Sequence, residues 1–155
     1  MELSDILAER AVLSCTSLKS KRQLFEQLAE KAAEMTGRPV EDICSAITSR
    51  EELGSTGLGN GIAIPHGKIA GLDGVTAVFA RLDDPIEFDA VDDQPVDIVM
   101  MLLAPAGAGA DHLKALSRVA RLLRTESVVD DLRRTDDPHR LYQLLTSPLE
   151  GHYAA

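Results

Sequence analysis

Residues 54–68 read Gly-Ser-Thr-Gly-Leu-Gly-Asn-Gly-Ile-Ala-Ile-Pro-His-Gly-Lys, and the fold turns on what this stretch is. Seven of the chain's 11 glycines fall within residues 54–74. So many glycines invite a nucleotide reading. GLGNGI (57–62) has G-x-G, but Ile62 stands where a dinucleotide fingerprint needs its third glycine, and a helical pattern precedes it rather than a first strand. GIAIPHGKI (61–69) looks like a P-loop, yet five residues separate its glycines instead of four. Ile69 also replaces the Ser or Thr that holds magnesium there. Both readings fail. What remains is a four-residue strand over 62–65 with His66 at its end, framed by Pro65 and Gly67. Proline fixes the backbone ahead of the ring, and glycine lets the chain turn away and another surface come close. An imidazole keeps an unprotonated nitrogen near neutral pH, which suits it to act as a nucleophile. A lone loop histidine is more often a surface residue, so its neighbours decide the matter.

Upstream, residues 10–15 read as a short strand. Ser20 and Gln23 then have capping-box spacing, and Leu24, Leu28, Ala32 and Met35 follow at helical intervals up to Gly37 and Pro39. A second helix carries Val40, Ile43 and Ile47 towards Arg50 and Leu53. Downstream, residues 75–82 and 96–103 read as strands. The latter is apolar on both faces and so belongs at the centre of a sheet. Residues 83–95 read as an acidic connection with a short extended piece at 86–88. Leu113, Leu116, Ala120 and Leu123 mark one helix, and Val128, Val129 and Leu132 a shorter one. Asp137 as N-cap and Pro138 at the first helical position open the last. The order is strand, two helices, three or so strands, three helices: an α/β layered single domain over 1–148, with 149–155 as a frayed tail.

The 155 residues hold 16 Lys plus Arg against 25 Asp plus Glu, a formal charge of −9, with aromatic residues at only 3%. That balance argues against nucleic acid, which needs a basic face and stacking platforms, and against an anionic membrane surface. No segment approaches the roughly 20 apolar residues of a span, and the N-terminus lacks a signal-peptide layout. Cys15 and Cys44 have no ligand spacing; they read as small buried apolar residues in a reducing, cytoplasmic setting, with a disulfide as the alternative. His139 and His152 read as surface residues, and the four histidines lack zinc spacing, so no metal or cofactor is expected. Met100 and Met101 read as core, and Asp83, Asp84, Asp92 and Asp93 as loop charges able to steer a basic partner.

The run Ser49-Arg50-Glu51-Glu52, followed by residues 55–68, resembles the active-site signature of the mannitol/fructose-type enzyme IIA family. These are phosphocarriers of the bacterial phosphoenolpyruvate phosphotransferase system. The resemblance continues through Phe88-Asp89-Ala90, Pro95-Val96-Asp97 and His112-Leu113-Lys114-Ala115-Leu116. The opening at Ser55-Thr56-Gly57, the Phe88–Ala90 segment and the lack of fused transporter sequence resemble the nitrogen-regulatory branch.

The resemblance implies a three-layer α/β/α domain with a small mixed β-sheet and His66 at one end of it. His66 matches the phosphorylated histidine, which accepts its group from a histidine-containing phosphocarrier protein on Nε2, while Nδ1–H is held by a backbone acceptor. Arg50 matches an arginine able to fork onto phosphoryl oxygens, although a helix C-terminal arginine also suits the dipole without any function. His112 matches the second histidine of the site, set in the first turn of a helix whose N–H groups attract an anion. Its alternative is a surface histidine near a cap. Regulated partners of the potassium-transport or sensor-kinase class are family expectations. A sugar-specific enzyme IIA passing phosphate to a transporter IIB domain is the rival reading, and a binding module without chemistry the third.

Overall fold

The computed structural model describes residues 1–147, so His152 and the expected tail at 149–155 lie outside the described residues. Two 3₁₀ turns lead into β1 (Val12–Cys15), α1 (Lys21–Thr36) and α2 (Val40–Glu52). The glycine-rich stretch forms β2 (Gly57–Gly59), β3 (Ile62–Ala63) and β4 (His66–Ile69). Two long strands follow, β5 (Thr76–Ile86) and β6 (Val96–Pro105), then α3 (Gly109–Leu123), α4 (Glu126–Arg133) and α5 (Pro138–Thr146). The helix signals read from sequence act as expected. Ser20 Oγ accepts the Gln23 N–H at 3.1 Å, Gly37 closes α1 at φ +74°, and Asp137 accepts the His139 N–H ahead of α5.

The sheet is mixed and runs β1-β5-β6-β3-β2, with β4 also pairing β6. β6 is central, as its two apolar faces require: every residue from Ile98 to Ala104 is buried. β5 lies antiparallel on one side of it, and β3 and β4 lie parallel on the other. α1 and α2 cover one face against β5 and β4, while α3 and α5 pack on β6 and β1. The outcome is three layers around one core.

Three expectations need correction. β5 runs on past residue 82 to Ile86, with an irregularity after Arg81, so Asp83 and Asp84 are strand residues with exposed side chains rather than loop charges. Ile86 pairs with Val96 and ends β5, so of the short extended piece expected at 86–88 only Ile86 is strand. The strand expected over 62–65 stops at Ala63, and His66 opens β4 instead of ending a strand. The register shows why. Ile62 pairs with Ile98 and His66 with Leu102, the same offset, so the chain keeps one line along β6. At the interruption Pro65 has no N–H to give to β6, while the Ile64 N–H bonds the Thr56 carbonyl on the β2 side (3.1 Å). The Pro65 carbonyl still accepts from Leu102 N (2.9 Å), so only one side of the ladder is lost.

Gly57 lets β2 close over the loop that follows β5. A Cβ at Gly57 would stand 2.7 Å from the Ala90 Cβ and 3.0 Å from its Cα. Since backbone must move to admit it, Gly57→Ala is expected to lower stability by about 1–3 kcal/mol in urea denaturation. Wild-type stability in that variant would mean that the Ala90 loop yields freely.

Candidate functional site

Three elements bring the candidate residues together. α2 lies directly on β4 because Gly67 has no side chain: a Cβ there would sit 3.2 Å from the Ala46 Cβ. Gly67 is therefore a strand residue that admits a helix, not a turn. Arg50 lies one helical turn beyond Ala46, on the same face, and so reaches the rim beside His66. α3 enters from β6, with His112 closing its first turn. These residues line one recess of about 340 Å³ made by Ala46, Arg50, His66, Gly67, Lys68 and His112. His66, Arg50 and His112, far apart in sequence, thus share one site.

His66 is half-buried, and its Nδ1 donates to the Ile64 carbonyl at 2.9 Å. A carbonyl only accepts, so Nδ1 carries a proton, and in the neutral ring the lone pair falls on Nε2. The His112 ring lies 5.5 Å away between centroids, tilted by 50°. His112 is buried rather than a surface cap residue, at 7% exposure, and its Nδ1 has no partner among the described residues. Its own N–H is already spent on the Ala108 carbonyl (2.9 Å), so any anion at this helix end meets the preceding N–H groups, which no N-cap side chain covers. Arg50 is half-buried, with Nη1 donating to the Gly54 carbonyl at 2.9 Å.

Burial first, then the facing His66 ring and Lys68, hold the His112 imidazole below the usual histidine range. The sign follows from linkage. An unfolded histidine binds a proton near pH 6.5, while folded His112 resists it, so unfolding takes up a proton and stability falls as pH drops below about 6.5. Urea denaturation of His112→Gln between about pH 7 and pH 5 should show a shallower acid-side loss than wild type. Parallel profiles would show that His112 does not carry it.

Lys68 was not singled out from the sequence, yet it lines the recess. The available signal was strand alternation, since residues two apart share a face. Other residues singled out in the sequence lie outside the site. Met100 and Met101 are fully buried. Cys15 and Cys44 are unbridged, but half-buried rather than buried as expected, and burial together with Asp83 pushes the Cys15 thiol up, which disfavours its thiolate. His139 is exposed and bonds to Glu9. Asp92 accepts from Asn60 N (3.0 Å) and Gln94 N (3.1 Å), and these bonds, Asn60 first, hold its carboxyl below the usual range. It is a turn anchor. A larger cleft of about 530 Å³ lies by Leu58, Arg124 and Arg133, with none of the histidines in its wall. No described group of His, Cys, Asp and Glu could hold a metal ion, and no described helix is long and apolar enough to cross a membrane.

Residues 5–147 match the family described as phosphoenolpyruvate-dependent sugar phosphotransferase system, EIIA 2. The chain belongs to this family. Within the enzyme IIA family it sits with the nitrogen-regulatory branch. It is 47% identical over 148 residues to the nitrogen regulatory protein of Bradyrhizobium diazoefficiens, covering 96% of this chain and 97% of that one. It is 41% identical to the nitrogen regulatory protein of Escherichia coli K12, covering 94% and 90%. The crystal structure of nitrogen regulatory protein IIA-Ntr from Neisseria meningitidis superposes with a TM-score of 0.86 at 33% identity, covering 93% of this chain and 99% of that one. Enzyme IIA mannitol of Escherichia coli, at 21% identity and a TM-score of 0.74, shares the fold.

Proposed function

We propose that this enzyme IIA is a regulatory phosphocarrier of the nitrogen phosphotransferase system, with His66 as the phosphoryl acceptor and Arg50 and His112 stabilising the transferred group. The observation that carries the reading is the bond from His66 Nδ1 to the Ile64 carbonyl, which leaves Nε2 unprotonated in a recess with Arg50 and Lys68 on its walls. The donor is a histidine-containing phosphocarrier protein. The Nε2 lone pair attacks phosphorus, an N–P bond forms to His66, and the donor's N–P bond breaks with its electron pair returning to the donor imidazole. The proton on Nδ1 stays in its bond to Ile64.

Such transfer asks the protein for positioning and charge stabilisation more than for covalent chemistry. Arg50 supplies a permanent forked cation, and His112, whose charged form is disfavoured by burial, faces the same recess and can orient the phosphoryl group. The added group brings about −1.5 to −2 of charge near pH 7. On a chain already at −9 it needs local compensation, which Arg50, Lys68 and the α3 N-terminus can give. The same change lets a regulated cytoplasmic partner, of the potassium-transport or sensor-kinase class, distinguish the two states.

The test is incubation with phosphoenolpyruvate, enzyme I and the carrier protein. One acid-labile phosphoryl group per chain is expected, on the peptide containing His66. No uptake, or uptake on another residue, sinks the proposal. The sugar-transport reading has weaker support: the fructose-specific EIIABC component of Bacillus subtilis is 30% identical, and this chain spans 23% of it. Transfer from His66 to a IIB cysteine would favour that reading.

A further inference from the structure

Glu51 does not line the recess, yet its side chain is only 6% exposed and fully engaged. Lys21 Nζ lies 2.7 Å from Oε2, the Thr56 N–H donates to Oε2 at 3.0 Å, and the Thr56 hydroxyl donates to Oε1 at 2.5 Å. Lys21 is fixed in turn: it donates to the Phe88 carbonyl at 2.9 Å and stands 4.3 Å over the Phe88 ring. A carboxylate this buried recovers its desolvation cost poorly from a partner that is 25% exposed, so stability alone is a weak reason for the pair. What it does is geometric. The carboxylate ties Glu51, the penultimate residue of α2, to Thr56 across a tight connection.

Both ends of that connection bear on the acceptor. Within it, the Gly54 carbonyl takes the Arg50 guanidinium at 2.9 Å, on a backbone whose φ of +154° suits glycine. At its end, the Thr56 carbonyl accepts from Ile64 N at 3.1 Å, and the Ile64 carbonyl accepts from His66 Nδ1 at 2.9 Å. One carboxylate therefore sets the position of the arginine and, through two backbone links, the carbonyl that selects the histidine tautomer. We infer that Glu51 is a positioning residue for phosphoryl transfer: held by Lys21, it clamps the 51–56 connection that aims Arg50 and keeps His66 protonated on Nδ1. The inference rests on His66 being the acceptor.

Two variants separate positioning from a merely structural pair. Glu51→Gln keeps the shape but removes the charge and one acceptor. Thr56→Val removes the hydroxyl donor at nearly constant volume, and Thr56→Ser restores it. Nitrogen-15 NMR of the histidine rings, on the unphosphorylated protein, should show His66 as the Nδ1–H tautomer in wild type and Thr56→Ser, and mixed tautomers in Glu51→Gln and Thr56→Val. In the phosphorylation assay, kcat should fall by about tenfold to a hundredfold with KM for the carrier nearly unchanged, as expected of a small misplacement. An unshifted tautomer with kcat within about twofold of wild type, in whichever of the two variants folds, overturns the inference. If wild type itself takes up no phosphate, the proposed function fails and the role in transfer with it, while the tautomer measurement still decides whether Glu51 sets the proton on His66.

Discussion

His66→Ala is expected to take up no acid-labile phosphate from the carrier protein while remaining folded. Among the described residues the other histidines are His112 and His139. His112 is the only second imidazole in the recess, and its Nδ1 is buried against protein. His139 is exposed on α5 and engaged with Glu9 and Gln143. The loss should be complete rather than graded, because the acceptor atom itself is removed. His66→Gln, which keeps more of the ring's volume, should behave the same, so that lost packing cannot explain the result. Urea denaturation of both variants checks the fold, and radiolabelled phosphate from phosphoenolpyruvate checks the chemistry. Wild-type uptake by either variant would move the acceptor elsewhere in the chain.

Arg50→Ala comes next in expected size. A preorganised donor aimed at developing charge typically contributes about 10²–10³ in rate, which sets the expected fall in kcat/KM for the carrier. Stability should change little by comparison, since the one resolved bond lost, to the Gly54 carbonyl, contributes about 1 kcal/mol. Arg50→Lys should recover only part of the rate: it restores the charge but not the planar fork that meets two phosphoryl oxygens at once. If alanine and lysine variants both transfer at the wild-type rate, Arg50 is a helix C-terminal cation and nothing more. The comparison thus decides between the two roles that its position at the end of α2 allows.

Much of the fold was legible in local pattern. β6 declared its central place by being apolar on both faces, and α1 and α5 declared their starts through Ser20 and Asp137. What escaped was set by partners remote in sequence. The resumption of pairing at His66 depends on Leu102, and the run of β5 to Ile86 depends on Val96 across the sheet. At the site, His66 stood out because Pro65 and Gly67 frame it, but its meaning and those of Arg50 and His112 came from the resemblance of the motifs around them. Lys68 was readable only once residues 66–69 were known to form a strand. The Lys21–Glu51 pair spans 30 positions between two helices, and neither residue carries a local sign of its burial. Gly67 illustrates the difference in kind: a glycine announces freedom, and only the packed helix shows that the freedom is used for closeness.

The in-line arrangement of β3 and β4 along β6 has a consequence for behaviour at high concentration. β2 flanks β3 but not β4, and β4 pairs with β6 alone among the described strands, so the strand that carries His66 is also an open margin of the sheet. Such margins template pairing between molecules, and proteins blunt them with proline, with charge and with short length. Pro65 precedes this one, Lys68 points a cation from it, and it is four residues long. The residues on either side of His66 are therefore also the ones that discourage two copies of the chain from zipping edge to edge.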